Sequence, residues 1–204
     1  MRVVVLGPAS PLRGGIAAHT ACLYRAFLRR GHDAAVIGFR RLYPASLFPG
    51  RSQSDGSEAL GEALLDSVSP ASWIRTRRRL VELAPELLVV QWWHPALAPA
   101  LAACMGAKVG ASCTVVLMCH NAASHEAFPL SALLTRMTAA RADACLAHCE
   151  WVASELRSLA PPGVGVMVSP LPPFFDPSAG APSKAFARES LGLAPEATVA
   201  LSFG

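Results

Sequence analysis

Six short apolar runs recur along the chain, at Arg2–Leu6, Ala34–Phe39, Leu87–Trp92, Cys113–Cys119, Ala144–His148 and Val164–Ser169. Most are apolar right through rather than alternating, the pattern of strands buried on both faces. Between them the spacing predicts helices over Ile16–Arg30, Pro70–Ala84, Pro95–Met105, Leu130–Arg141 and Glu150–Leu159. In the first, Ile16, Thr20, Leu23, Tyr24, Phe27 and Leu28 share a face, and Gly31 is placed to end it. Ser69 is the expected cap of the second, with Pro70 in its first turn. Buried strands separated by helices call for a parallel sheet covered on both sides, a doubly wound α/β Rossmann-like domain.

Composition agrees with that picture. The 204 residues are 52% hydrophobic and 16% charged, which excludes a disordered chain. The net charge of +4 favours anionic partners but is too small to mark a nucleic-acid binder. No apolar run reaches the ~18 residues of a membrane-spanning helix. The opening MRVVVLGPAS stops being apolar at Leu6, so it fails as a signal peptide, and a cytoplasmic location is expected. None of the six cysteines sits in a C-x-x-C pair, and they read as small core residues of a reducing compartment. Cys145, His148 and Cys149 match no metal-ligand spacing, and no metal site is read.

Two stretches interrupt the alternation. Arg40–Ser57 is polar, rich in Pro and Gly, and long for a compact domain, the mark of a functional or mobile loop. Pro170–Pro177 (PLPPFFDP) ends the periodic pattern, so residues 1–177 are expected to form the Rossmann-like domain. Residues 178–204 then read as a linker with a short helix, followed by Thr198–Phe203 as the first strand of a second domain.

In such sheets ligands bind beyond the carboxyl ends of the strands. The first strand runs into GPASPLRGG (Gly7–Gly15), where Gly14 and Gly15 let the backbone approach a phosphate at the helix N-terminus. An ordinary strand-to-helix turn is the plainer alternative. The dinucleotide fingerprint is missing, and Arg40 and Arg41 stand where a ribose-binding acid belongs. Those arginines leave NADP open, though the glycine pattern argues against it. Neither a P-loop nor a G-x-S-x-G elbow is present.

CHNAASHE (Cys119–Glu126) turns a wholly apolar strand abruptly into His120, Asn121, His125 and Glu126. His120 is the candidate for hydrogen bonding a sugar hydroxyl or moving a proton. In QWWHP (Gln91–Pro95) the two tryptophans point to opposite sides of an extended chain, so Trp93 could wall a sugar site; core packing is as good a reading. Arg75, Arg77, Arg78 and Arg79 lie among Trp73, Ile74 and Leu80 on a helix suited either to an anionic membrane surface or to a solvated face over the sheet.

Taken in order, GGIAAHTACLYRAFLRRGHDAAVI (Gly14–Ile37), LLVVQWWHP, MCHNAASHE, ADACLAHCEWVASEL (Ala142–Leu156) and LGLAPEATVALSFG (Leu191–Gly204) resemble the N-terminal half of GT-B glycosyltransferases of the family 4-like group. The resemblance spans essentially the whole chain. It implies two Rossmann-like domains facing a cleft, the N-terminal one holding the acceptor and the C-terminal one most of a nucleotide-sugar donor. On that resemblance His120 is the histidine of the transfer centre, and Gly14 and Gly15 approach donor phosphates and acceptor. Asn121, His125 and Glu126 extend the His120 loop, and His19 faces the cleft. The family's donor-binding basic pair and paired glutamates have no counterpart in this sequence.

The expectation is therefore the acceptor side of a retaining, nucleotide-sugar-dependent hexosyl transferase acting on a hydroxyl acceptor, glycan or lipid-linked, in cell-envelope or exopolysaccharide synthesis. No cofactor beyond the nucleotide-sugar co-substrate, no metal and no nucleic acid is expected. Peripheral contact with the inner membrane surface is, and the chain on its own is expected to be inactive. The competing reading is a non-catalytic carbohydrate- or lipid-binding module, or a partner subunit of a split transferase. An NADP-dependent oxidoreductase is the third.

Overall fold

The computed structural model describes residues 1–44, 52–106, 109–110, 112–122, 128, 130–172 and 180–202. They divide into two compact units, Met1–Pro172 and Pro173–Gly204.

The first unit is built on seven parallel strands: β1 (Arg2–Leu6), β2 (Asp33–Arg41), β3 (Glu62–Asp66), β4 (Leu87–Trp92), β5 (Thr114–Cys119), β6 (Ala144–Ala147) and β7 (Gly165–Val168). Their order across the sheet is β3-β2-β1-β4-β5-β6-β7, the doubly wound order whose direction reverses between β1 and β4. The helices are α1 (Gly15–Arg29), α2 (Pro70–Leu83), α3 (Ala98–Met105, after a 3-10 turn at Pro95–Leu97), α4 (Ser131–Ala139) and α5 (Glu150–Leu159).

Successive strand residues serve opposite faces, as the pleat requires. Val5, Val36, Val89 and Met118 pack with Leu23, Tyr24 and Phe27 of α1. Val4, Leu6, Ile37, Leu88, Val90 and Leu117 pack into the larger core with Leu80 of α2, Leu101 of α3 and Leu156 of α5. Cys104, Cys119 and Cys145 are buried there, and all six cysteines are free thiols. Gly31 ends α1 with φ +76°. Ser69 precedes α2, but its hydroxyl caps nothing; Ser72 Oγ donates instead to the Ser69 carbonyl at 2.7 Å.

The sequence pattern predicts six strands and the structure has a seventh. β3 is an edge strand of sequence EALLD, pairing only with β2 and with register shifts at Gly38/Phe39 and Phe39/Arg41. Only Leu65 and Asp66 of its five residues are buried, so it lacks the continuous apolar run of a central strand.

Asp66, 2% exposed, ties that edge together. Its Oδ1 accepts from Arg41 Nε at 3.0 Å and from the Val68 N–H at 3.1 Å, and its Oδ2 lies 2.8 Å from Arg41 Nη2 and 3.6 Å from Arg40 Nη2. Burial alone would raise its pKa; the Arg41 hydrogen bond, the Val68 N–H and the two guanidinium charges outweigh that and hold it below the usual value. Both arginines that could have suggested a nucleotide phosphate are thus turned onto this carboxylate. Asp66→Ala is expected to destabilise the protein by about 1 kcal/mol, since the arginines that lose their partner are about half exposed and turn to water. An unchanged urea midpoint would mean that the clamp contributes nothing.

The described part of the Arg40–Ser57 loop braces the glycine loop after β1. Leu12 bridges Ser54, Arg13 N–H donates to Gln53 O at 2.9 Å, and Ser10 Oγ bonds Ser57 Oγ at 2.6 Å.

In the second unit, α6 (Lys184–Ser190) is capped by Ser183, whose Oγ accepts from Phe186 N–H. Arg188 donates to the carbonyls of Ala194 and Ala197. The expected strand at Thr198–Phe203 does not form over 198–202, which is irregular and exposed. A β-prone run needs a ladder partner, and none is present among the described residues.

Candidate functional site

The strand order reverses between β1 and β4, and doubly wound sheets bind ligands beyond the carboxyl ends of the strands at such a point. Gly7 follows β1, and Gln91 lies near the end of β4. A Cβ on Gly7 would stand 2.4 Å from Gln91 Cγ, so the absent side chain is what lets Gln91 cross the end of β1. Gln91 is fully buried, the one amide in an otherwise apolar strand.

Its amide joins two imidazoles. Gln91 Oε1 lies 2.6 Å from Nε2 of His120, the residue just after β5, and Gln91 Nε2 lies 3.4 Å from Nδ1 of His19 on α1. His148, just after β6, completes the group through its Nδ1–H, which donates to the Ser169 carbonyl at 3.1 Å. Ring centroids stand 5.2 Å apart for His19–His120, 5.2 Å for His19–His148 and 4.9 Å for His120–His148.

His19 and His120 are held neutral. Burial, followed by repulsion from His148 and partly offset by the Gln91 hydrogen bond, lowers the His19 pKa to about 4. Burial, with repulsion from His19 and His148, lowers that of His120 to about 3. Near neutral pH both therefore act as hydrogen-bonding groups rather than cations.

The glycine corner opens the helix that carries His19. Gly14 has φ +123°, a conformation that side-chain-bearing residues rarely adopt, and the space over Gly14 and Gly15 is open. No side chain caps α1 at this end, so its first N–H groups face that space. His19 follows Gly15 by four residues, about one helical turn or ~5.4 Å along the axis. His120 is only partly buried, so the cluster reaches the surface there.

Asn121 is also partly buried, its Nδ2 donating to the Trp93 carbonyl at 3.5 Å. Trp93 packs edge-on against Phe39, with ring centroids 6.0 Å apart, and its Nε1–H donates to Tyr43 Oη at 3.0 Å. Trp92, its neighbour, is wholly buried. His125 and Glu126 lie outside the described residues. The structure thus brings His120 and His19 together, and adds Gln91, which pattern reading passed over, and His148, which it weighed only beside Cys145 and Cys149. The one signal for each was a polar residue closing an apolar strand run.

The model of Glycosyltransferase Family 4 matches residues 13–168, a span that runs from the glycine corner to the end of β7. The chain belongs to this family. Among solved structures, the family 4 chain is similar to the UDP-N-acetylglucosamine 2-epimerase from Rickettsia bellii, at 11% identity and a TM-score of 0.51 over 82% of this chain and 44% of that one. It is likewise similar to the UDP-GlcNAc 2-epimerase from Neisseria meningitidis bound to UDP-GlcNAc, at 16% identity and a TM-score of 0.51 over 82% and 45%. An alpha-glucosyltransferase in complex with UDP-glucose and DNA containing an abasic site matches at 14% identity and a TM-score of 0.48, over 82% and 42%. No curated protein matches the sequence. The chain spans less than half the length of these structures, and at such identities the likeness is one of fold. That fold is the Rossmann-like N-terminal half of a GT-B architecture. No helix among the described residues is long and apolar enough to cross a membrane.

Proposed function

We propose that this chain forms the acceptor-side wall of a retaining glycosyltransferase that moves a hexosyl group from a nucleotide sugar to a hydroxyl acceptor. One observation carries the reading: His120 touches His19, which sits one turn into the helix that opens at Gly14 and Gly15. The helix start suits a donor phosphate. The imidazole suits a sugar hydroxyl, which it can orient without adding charge. Transfer with retention then needs no enzymatic nucleophile, because the leaving phosphate can take the proton of the incoming hydroxyl. Positive charge that stabilises this leaving group would come from a second, nucleotide-binding domain. The UDP-GlcNAc held by the Neisseria meningitidis enzyme supports a nucleotide sugar as ligand of this fold. The transfer step asks for no resident cofactor.

A lipid-linked acceptor at the cytoplasmic membrane face, in cell-envelope or exopolysaccharide synthesis, is favoured by a groove of about 970 Å³ between α2, α3 and α4. Trp73, Ile74, Leu134 and Met137 line it, with Arg78 and Arg141 among its charged residues. Apolar side chains beside arginines fit acyl chains below anionic headgroups. Arg79 is not part of that basic edge, being paired with Glu62 at 2.8 Å and Glu82 at 3.2 Å.

In a two-domain protein carrying this chain, His120→Ala is expected to lower turnover at least tenfold with folding intact, about 1.4 kcal/mol of transition-state stabilisation. Unchanged turnover of the nucleotide sugar would remove His120 from the reaction.

A further inference from the structure

We propose that His19, His120 and His148 form a three-nitrogen binding site for a divalent transition cation of the zinc type. One ring nitrogen from each residue lies within 4.8 Å of the other two. A tetrahedral zinc with bonds near 2.0–2.1 Å needs its nitrogens ~3.3–3.5 Å apart, so each ring has to close by roughly 1 Å. Small side-chain rotations on three separate elements supply that.

The second observation is an orphaned atom. His148 Nε2 is buried and finds no hydrogen-bond partner among the described residues, although its Nδ1–H donates to Ser169 O. A buried polar nitrogen left unmatched is costly in a packed interior. A cation between the three rings satisfies it.

The surroundings are those of a ligand set already oriented. Metal-bound histidines as a rule donate their other ring N–H to a carbonyl or carboxylate, which fixes ring and tautomer. Here Ser169 O holds His148 Nδ1–H, directing Nε2 inward. Gln91 Oε1 holds His120 Nε2 at 2.6 Å, which leaves Nδ1 of that ring to coordinate. The nitrogen of the same amide lies 3.4 Å from His19 Nδ1, so His19 binds through Nε2 only if the amide turns away from this contact and the ring proton moves to Nδ1.

The identity of the cation follows from the donors. Three imidazoles with no carboxylate in the set suit zinc, copper, nickel or cobalt and are poor ligands for magnesium or calcium. Three protein nitrogens leave one tetrahedral position for water or a substrate oxygen.

The test uses the untagged chain, stripped with a chelator and titrated with Zn²⁺ by calorimetry and with Co²⁺ by visible absorption. One equivalent is expected, with the intense d–d bands of tetrahedral cobalt and no thiolate charge-transfer band. Mg²⁺ is expected to give no heat. His148→Ala should abolish the cobalt spectrum, and Gln91→Ala should weaken binding roughly 10- to 100-fold, as loss of an outer-shell partner does. Cys149→Ser, next to His148 and exposed, should change neither. Urea midpoints of the metal-free variants check that each folds. A thiolate band lost with Cys149→Ser, an octahedral cobalt spectrum, or binding indifferent to His148→Ala in a folded protein each overturns the site. The proposal rests on geometry and not on sugar transfer, so metal binding and turnover can fail separately.

Discussion

Between pH 7 and pH 5 the metal-free protein is expected to lose about 4 kcal/mol of folding stability, about 2 kcal/mol for each of His19 and His120. Both rings have folded-state pKa values well below the ordinary 6.5, about 4 and about 3. The unfolded chain therefore takes up protons that the folded chain refuses. Stability is whole above about pH 6.5, falls as the pH drops through the window between 6.5 and about 4, and levels off once the folded rings protonate too. At pH 5 the unfolded imidazole is almost fully charged while its folded counterpart is almost wholly neutral, and the ratio sets ~2 kcal/mol per ring. Asp66, Asp55 and Glu86 have lowered pKa values as well, and they add their own loss only toward the carboxylate range, below this window. Against a typical stability of 5–15 kcal/mol the histidine effect is large. Urea midpoints at the two pH values measure it in chelator-treated protein. His120→Gln should remove about half of the difference. Equal midpoints at pH 7 and pH 5 would mean that the rings are not held neutral by the fold.

That a histidine cluster exists at all was only half legible in the chain. His120 announced itself because a run of five apolar residues, Val115–Cys119, ended on it at the carboxyl end of a central strand. His148 closes the shorter run ACLA, and its neighbours Cys145 and Cys149 drew attention to a local spacing when the relevant partners were far away in sequence. His19 lies 72 residues from Gln91, and Gln91 lies 29 from His120. Only parallel pairing, Leu6 beside Val90, Trp92 beside Cys119 and Cys119 beside Ala147, brings those strand ends to one level. The strand order that does so is set by tertiary packing, which no local pattern encodes. The central strands were readable because burial on both faces leaves an unbroken apolar run. β3 was not, because an edge strand with one solvated side can spend its positions on Glu62 and Asp66, and these charges serve Arg79 and Arg41. Residues 198–202 show the converse: β-prone residues make a strand only when they pair with one, and these do not.

Gly7→Ala is expected to destabilise the protein by about 3 kcal/mol and to dismantle the histidine network, though the residue touches no histidine. The backbone is not the obstacle, since Gly7 does not occupy a left-handed conformation. The obstacle is steric: the new methyl would sit 2.4 Å from Gln91 Cγ and 2.8 Å from Gln91 Cβ. Cβ is anchored to β4, held on one side by β5 through the Gln91–Met118 pair, so it has little room to retreat. The amide must swing away instead. It then gives up the 2.6 Å bond to His120 and the contact with His19, leaving polar groups unpaired in a fully buried position. Overpacking and unsatisfied burial each cost about 1–3 kcal/mol. A double-mutant cycle separates this from any general intolerance of β1. In a Gln91→Gly background both clash partners, Cγ and Cβ, are gone, so adding Gly7→Ala should cost less than about 1 kcal/mol more. If the two substitutions are instead additive, Gly7 is needed for a reason other than the passage of Gln91, and the link from the strand end to the imidazoles is broken.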